Sequence, residues 1–235
     1  MYSTLRKSLA ELVGTYILVL FGPGSVVASV AVFHQPLDPL TVLFIGISFA
    51  IGIAIAIMTV GPISGAHINP AVTLALFVSG KFKGKEVVPY ILAQLAGALL
   101  ASATTAALFG YSVSESVKFG ATIPGYRGPA IAFLAELIMT FFLLWTILGL
   151  TGHDFSLGAI GAGVGAYVAA EIFIIIKISG GSINPARSFG PAVLSGILLN
   201  SHYYQWIYWV APIIGGILGA LSYKYLFLTK SSEKT

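Results

Sequence analysis

The sequence contains no cysteine and very few charged residues. Without cysteine the chain can form no disulfide, no thiolate metal site and no thiol nucleophile. Only 9% of the 235 residues are charged, whereas an average soluble domain carries about 25%. A soluble fold of this length could not cover its surface with so few charges. This composition excludes a cytosolic enzyme, a nucleic-acid-binding module and a disordered protein.

Hydrophobic residues make up 57% of the chain, and many of them fall in runs long enough to cross a bilayer. Two shorter apolar runs, near 69–79 and 184–195, could not cross and predict re-entrant half-helices. Six long runs predict transmembrane helices near 9–33, 40–60, 86–109, 130–150, 157–178 and 204–228. The predicted fold class is therefore an all-α membrane protein, with residues 1–235 forming a single domain.

Basic residues are distributed unevenly between the two sides of a six-span arrangement. Lys118, Arg127 and Lys177 fall on one side, and Arg187 lies within a half-helix. The other side carries Arg6, Lys7, Lys81, Lys83, Lys85, Lys224, Lys230 and Lys234. Because cytoplasmic loops carry an excess of lysine and arginine, this asymmetry predicts that both termini are cytoplasmic.

An internal repeat organises the chain. The segment Ser64–Ala71 recurs as Ser179–Ala186, with six of the eight positions identical, and an Ala-Glu-Leu tripeptide precedes each copy. The repeat predicts two halves, approximately 1–115 and 125–230, each with three spans and one half-helix. Because three is an odd number, the second half must enter the membrane from the opposite side, which gives an inverted repeat.

The two Asn-Pro-Ala tripeptides predict the starts of the half-helices. Asparagine is a favoured N-cap and proline is favoured at the first helical position, while Ser-Gly pairs at 79–80 and 195–196 predict the ends. A helix of about ten residues spans ~15 Å, half of a ~30 Å hydrocarbon core. Two such helices would meet near the midplane at Asn69, Pro70, Ala71, Asn184, Pro185 and Ala186.

The point where the two half-helices would meet has the chemistry needed to let water pass and to exclude protons. Helix N-termini carry partial positive charge, which repels cations. Each asparagine can cap its helix through its oxygen and leave N–H donors free for the oxygen of a passing water. Such a water points its hydrogens away along the pore, so a continuous proton wire is interrupted. A single copy could equally be a structural elbow, but two copies at equivalent places favour a functional role.

Glycine-rich segments before each asparagine would supply acceptors along the same path. Non-helical backbone at membrane depth is tolerated where it is buried or lines a water-filled cavity. The candidate pore-lining carbonyls are those of Gly65, Ala66, His67, Gly180, Gly181 and Ser182.

Four ionisable side chains in apolar surroundings have competing interpretations. Arg187 fits a filter lining a polar cavity better than a structural ion pair, because a charge at membrane depth is costly. Glu11 and Glu136 could serve proton transfer or a metal, but bracing of the re-entrant loops is favoured because a buried acid needs donors. His67 has no second ligand at metal spacing, which favours a bracing role over a metal site or pH sensor. The sequence predicts no metal and no cofactor.

Together these motifs resemble the aquaporin, or major intrinsic protein, family. The resemblance rests on the two SGxxINPA copies, the AEL…T pairs, Ala93-Gln94 and Trp206-Ile207-Tyr208-Trp209. It covers nearly the whole chain and implies six spans, two half-helices, a pore in each protomer and a homotetramer. The family divides into water channels and glycerol facilitators. The residues that resemble the water-channel type are Ser188, Ala192, Tyr208 and Trp209.

The resemblance also implies an outer selectivity filter formed by Phe49, Ile172, Gly181 and Arg187. Strict water channels carry histidine where Ile172 stands, and family members sensitive to mercurial reagents usually carry cysteine where Gly181 stands. An isoleucine wall and a missing side chain predict a wider, more apolar filter than a strict water filter. This pattern is most similar to the archaeal-type aquaporins.

The resemblance therefore implies a passive channel for water that excludes protons and ions, with weak permeability to glycerol or other small neutral solutes. The expected partners are water, such solutes and the lipid bilayer of the cell membrane, with no nucleic acid. Two alternatives remain. Inverted repeats with broken helices also build secondary transporters, and Glu11 with Glu136 could serve an intramembrane enzyme.

Overall fold

The fold of this protein is given by a computed structural model that describes residues 2–34 and 37–228. Within those ranges the chain forms nine α-helices and no strand. They are α1 (Thr4–Phe33), α2 (Pro39–Ser64), α3 (Pro70–Val78), α4 (Gly84–Phe109), α5 (Tyr111–Ser116), α6 (Gly128–Thr151), α7 (Leu157–Ser179), α8 (Pro185–Leu194) and α9 (Ile207–Tyr223). Helix α9 continues as a π-helical turn over Lys224–Leu228.

Six of these helices are long and apolar enough to cross a membrane: α1, α2, α4, α6, α7 and α9 with its π-helical turn. They coincide with the six predicted spans, and α3 and α8 coincide with the two predicted half-helices. The all-α membrane fold class is thereby confirmed. The short helix α5 and the 3₁₀ turns at Lys118–Gly120 and Ser201–Tyr203 have no apolar periodicity and were not predicted.

Helix ends differ from the predictions where local capping decides them. Helix α1 begins at Thr4, five residues earlier than expected, because the Ser3 hydroxyl accepts a hydrogen bond from the Arg6 amide at 3.3 Å. Helix α9 begins at Ile207, because Tyr204 adopts a left-handed conformation with φ of 49°. Lys230 and Lys234, which entered the orientation prediction, lie outside the described residues.

The long helices pack as two similar groups. Helix α1 packs against α2 and α4, helix α6 packs against α7 and α9, and contacts between α2 and α7 join the groups. Glycines allow the closest approaches. A Cβ atom on Gly97 of α4 would collide with the backbone carbonyl of Leu12, and one on Gly215 of α9 with that of Leu137. Close backbone contact of this kind drives helix association in lipid.

Each half-helix packs against the last span of the other group. Helix α3 packs on α9 as well as on α4, and α8 packs on α4. The C-terminus of α3 is held across the groups, because the Lys224 ammonium donates to the Ser79 carbonyl at 2.9 Å. Gly80 and Gly196 follow the two half-helices with φ of +81° and +71°, a conformation that glycine adopts without strain. The half-helices are therefore fixed between the two groups.

Candidate functional site

The N-termini of α3 and α8 meet inside the helix bundle. The Asn69 side-chain oxygen accepts hydrogen bonds from the Ala71 and Val72 amides at 2.8 and 3.4 Å. The Asn184 oxygen likewise accepts from the amides of Ala186 and Arg187 at 3.0 and 3.3 Å. Pro70 and Pro185 occupy the first helical positions. Both helices therefore start with the same cap, and their positive ends face one another.

The two capping asparagines also bind each other's loops. The Asn69 amide nitrogen donates to the Ile183 carbonyl at 2.8 Å, and the Asn184 amide nitrogen donates to the Ile68 carbonyl at 2.9 Å. The sequence suggested that both N–H groups of each amide would be free for water. One N–H per asparagine is instead used to join the loops, because a side-chain amide has two. A single N–H on each side remains for a ligand.

A cavity of about 340 Å³ runs past both asparagines. Its lining includes Lys81, Phe49 and Arg187. Its wall is mostly apolar, formed among others by Leu18, Ile53, Val72, Leu143, Val164 and Val168. The two asparagines and the loops before them supply a polar line along this apolar wall.

Four of the six residues predicted to offer carbonyls line this cavity: Gly65, Ala66, His67 and Ser182. Gly180 and Gly181 are not among its lining residues. The cavity is also lined by Ile68 and Ile183, which had not been predicted as lining residues. Both isoleucines have a left-handed φ of 45°, unfavourable for a β-branched residue. The two isoleucines occupy equivalent positions in the two repeat copies, and this equivalence could have identified them from the sequence.

Two fully buried carboxylates hold the re-entrant loops. Glu11 accepts hydrogen bonds from the His67 and Ile68 amides at 2.9 and 2.6 Å, and from the Gln94 side chain at 2.8 Å. A carboxylate that accepts several N–H groups is well compensated for burial. The loop after α2 is thus fixed to α1 and α4.

Glu136 on α6 makes the equivalent contacts to the second loop. It accepts from the Ser182 and Ile183 amides at 2.9 and 2.6 Å, and from the Ser179 hydroxyl at 2.7 Å. Tyr208 adds a further bond by donating to the Ser179 carbonyl at 2.7 Å. The loop that carries Asn184 and Arg187 is therefore held from both α6 and α9.

His67 packs within the first loop. Its Nδ1 atom lies 3.2 Å from the Thr73 hydroxyl, and its ring packs edge-on against Phe82 and Tyr90. Within residues 2–34 and 37–228, His67 belongs to no group of three or more histidine or acidic side chains that could hold a metal ion. These contacts are those of a side chain that supports the loop.

Arg187 bounds the cavity together with Phe49. Its guanidinium donates to the Gly120 carbonyl at 2.7 Å, and its central carbon lies 5.1 Å from the centroid of the Phe49 ring. The side chain is only 2% exposed, and its Nε atom has no hydrogen-bond partner among the described residues. The role of Gly120 could not be predicted from the sequence, because a backbone carbonyl in a connecting segment has no residue signature.

Ile172 and Gly181, the other two predicted filter residues, lie side by side. A Cβ atom on Gly181 would lie 2.7 Å from the Ile172 side chain and 3.2 Å from a Glu171 carboxylate oxygen. Neighbouring side chains therefore already fill the space that a residue at 181 would use. Gly181 adds no opening of its own, in contrast to the expectation of a wider filter.

Comparison with known proteins places this chain among membrane channels. Residues 1–223 match the family model described as "Major intrinsic protein". A probable aquaporin AqpM of Archaeoglobus fulgidus is 42% identical over 240 residues, covering 94% of this chain and 96% of that protein. Glycerol uptake facilitator protein-like 6 of Lactiplantibacillus plantarum is 36% identical over 217 residues, covering 92% and 95%.

A solved structure has the same fold. The X-ray structure of the aquaglyceroporin from Plasmodium falciparum superposes with a TM-score of 0.86, covering 95% of this chain and 97% of that one at 24% identity. The family match over most of the chain, the relatives that share more than a third of its residues and the paired Asn-Pro-Ala half-helices agree. This chain belongs to the major intrinsic protein family.

Proposed function

We propose that this protein is a passive pore for water that excludes protons and ions. The observation that carries the proposal is the meeting of two asparagine-capped helix N-termini beside an apolar cavity of about 340 Å³. Members of the family are passive channels and not enzymes, so the enzyme hypothesis is set aside. Helix dipoles and two N–H donors form a positive region through which a neutral molecule passes more easily than a cation.

Exclusion of protons depends on the orientation of water at the two asparagines. The remaining N–H groups of Asn69 and Asn184 point donors at the oxygen of a passing water, whose own hydrogens then turn toward its neighbours. That water cannot accept a proton from the chain, because its lone pairs are occupied. The bond between each asparagine and the opposite loop fixes the direction of these donors.

Water is favoured over glycerol as the main substrate. The relatives include both an aquaporin and a glycerol uptake facilitator, so family membership does not decide between them. The resemblance in Ser188, Ala192, Tyr208 and Trp209 supports the water-channel type. The apolar Ile172 at the third predicted filter position favours a small additional flux of neutral solutes, since it contributes no donor that would hold water specifically.

We further propose that the channel lies in the cell membrane with both termini in the cytoplasm and assembles as a homotetramer. The excess of lysine and arginine on one side of the six spans supports the orientation. Each half-helix packs against the last span of the other group, which supports a division into inverted halves near 1–115 and 125–230. The family resemblance supports the tetramer.

Stopped-flow light scattering of proteoliposomes tests the proposed function. An osmotic step should give water flux well above that of protein-free liposomes, linear in the gradient and with a low activation energy. A glycerol gradient should give a slower but measurable flux. Saturable flux that depends on an ion gradient would instead support a secondary transporter, and water flux equal to the lipid background would refute the pore.

Water flux should be insensitive to mercurial reagents. These reagents block a channel by capping a thiol, and the chain contains no cysteine. We expect less than about twofold change in osmotic shrinkage rate after treatment with mercuric chloride, because no thiolate is present to react. Strong inhibition that an added thiol reverses would mean that the flux comes from a contaminating channel.

A further inference from the structure

The guanidinium of Arg187 is held by the segment that connects α5 to α6. The Gly120 carbonyl of this segment accepts a hydrogen bond from the guanidinium at 2.7 Å. Gly120 ends the short 3₁₀ turn Lys118–Gly120 and does not belong to a long helix. Because a connecting segment has few hydrogen bonds of its own, the direction of this carbonyl depends on what holds the residues on either side of it.

Close packing holds the segment at Gly120 itself. A Cβ atom on Gly120 would lie 2.6 Å from the Pro23 carbonyl oxygen of α1, so no side chain fits between the two backbones. The preceding Phe119 is 1% exposed. Packing of this kind is not directional. It fixes where the turn lies but does not by itself fix the direction of the Gly120 carbonyl.

Hydrogen bonds hold the segment two residues later, at Thr122. The side-chain amide of Gln205 donates to the Thr122 carbonyl at 2.7 Å. Gln205 lies two residues before the start of α9, at Ile207. The Thr122 hydroxyl lies 2.7 Å from the Ser188 hydroxyl of α8. Thr122 and Gln205 are both buried, so these bonds are not in competition with water.

The two bonds to Thr122 come from different helices. Ser188 directly follows Arg187 on α8, and its hydroxyl lies 2.5 Å from the Ser182 hydroxyl of the second re-entrant loop. This bond therefore belongs to the same element as the guanidinium and moves with it. Gln205 instead holds Thr122 from the α9 side, and it supplies a fixed point that does not depend on α8.

We propose that Gln205 is a positioning residue for Arg187. Its amide fixes Thr122, and the backbone between Thr122 and Gly120 carries that constraint to the carbonyl that holds the guanidinium. Gln205 is not among the residues that line the cavity, so it acts on permeation through Arg187. Its consequence for ion exclusion rests on the proposed pore function, whereas its effect on the position of Arg187 does not.

The first test compares Gln205→Met with Asn200→Ala in proteoliposomes of equal protein content. Methionine removes the donor at similar size, and we expect proton leak to rise roughly fivefold, as for the net loss of one hydrogen bond. Water flux should change by less than about twofold. Asn200 lies in the same connection before α9, where its exposed side chain accepts from the His202 amide at 3.1 Å. The control therefore also loses one hydrogen bond, and its leak should equal that of the wild type.

Combination with Arg187→Val separates positioning from a general loosening of the bundle. If Gln205 acts through Arg187, adding Gln205→Met to Arg187→Val should change the leak by less than about twofold. The same fold increase in both backgrounds would show that the leak arises elsewhere, and the role of Gln205 would be refuted. An increase in Asn200→Ala equal to that in Gln205→Met would refute it as well.

A distance measurement follows the position of Arg187 without any flux. Glycine is labelled with ¹³C at the carbonyl and arginine with ¹⁵N in the guanidinium, and rotational-echo double resonance is recorded on the reconstituted protein. The wild type should show a carbonyl–nitrogen contact from Gly120 that Asn200→Ala retains and Arg187→Val lacks. We expect the contact to weaken at least twofold in Gln205→Met. Gln205→Asn, whose amide is one carbon too short to reach Thr122, should weaken it equally and replaces the methionine variant if that protein does not fold.

The two measurements distinguish failure of this proposal from failure of the pore. An undiminished contact in both Gln205 variants, or no contact in the wild type, refutes the positioning role whatever the fluxes are. Absence of wild-type water flux together with the expected weakening of the contact refutes the pore and supports the positioning role.

Discussion

Replacing Arg187 with valine should raise the leak of protons or small cations through the pore by at least tenfold and leave water flux largely intact. The guanidinium is a fixed positive charge in the lining of the cavity, held by the Gly120 carbonyl and the Phe49 ring. A unit charge about 4 Å from a permeating cation contributes about 4 kcal/mol at the effective dielectric of protein sites. Valine removes that barrier, whereas water carries no charge and is not repelled.

Proton leak is measured with a pH-sensitive dye inside proteoliposomes under an imposed potential, and water flux by stopped-flow shrinkage. Lys177→Met is the matched control, because it removes an equal charge from an exposed position on α7. We expect its leak to equal that of the wild type. If the leak of protons and cations through Arg187→Val equals that of the wild type, the exclusion of these ions depends on the two asparagines alone.

Replacing Glu136 with alanine should destabilise the protein and abolish most water flux. The substitution leaves the amides of Ser182 and Ile183 and the hydroxyl of Ser179 without their acceptor. Each unsatisfied buried donor costs about 1–3 kcal/mol, so a total of about 3 kcal/mol or more is expected. That corresponds to a fall in melting temperature of roughly 6–12 °C for a protein of this size.

The loss of flux has a geometric cause. The loop held by Glu136 places Asn184 against the first loop and leads into the helix that carries Arg187. Without its anchor this loop can move into the cavity that Ser182 and Ile183 line. We expect at least a tenfold lower water flux per inserted protein, measured together with thermal unfolding followed by tryptophan fluorescence.

Glu115→Ala is the control for Glu136→Ala. Glu115 pairs with Lys118 at 2.6 Å, and both side chains are about one-third exposed. An exposed ion pair contributes at most about 1 kcal/mol, so melting temperature and water flux should stay close to wild type. Similar effects of the two substitutions would show that Glu136 has no special role in holding the loop.

The spans and half-helices could be predicted because their causes are local. Lipid requires long apolar runs with internally bonded backbone, and such runs are visible in sequence. The starts at Pro70 and Pro185 follow from asparagine capping, which involves only the next three residues. The resemblance to the major intrinsic protein family rested on these same motifs and was confirmed by the family match.

The predictions were weakest at the outer constriction, where the contacts join distant segments. Arg187 bonds to a carbonyl 67 residues away in sequence. The absence of a side chain at Gly181 suggested a wide opening, yet Ile172 and Glu171 fill that space. Which way the side chains of α7 face the loop depends on how α7 packs against α2 and α6, and periodicity does not specify that rotation.

The amino-acid sequence was sufficient to predict an all-α membrane protein with six spans, two capped half-helices and a repeated Asn-Pro-Ala motif. Those features depend on hydrophobic length and on capping between near neighbours. The folded structure was needed to show that each asparagine bonds to the opposite loop and that Gly120 holds Arg187. It also shows that Glu171 lies beside Gly181 with no hydrogen-bond partner among the described residues. The first two sets of contacts join segments more than 60 residues apart, and the third joins α7 to the loop that follows it. None of them is specified by near neighbours in sequence, so each is made only when the helices pack together.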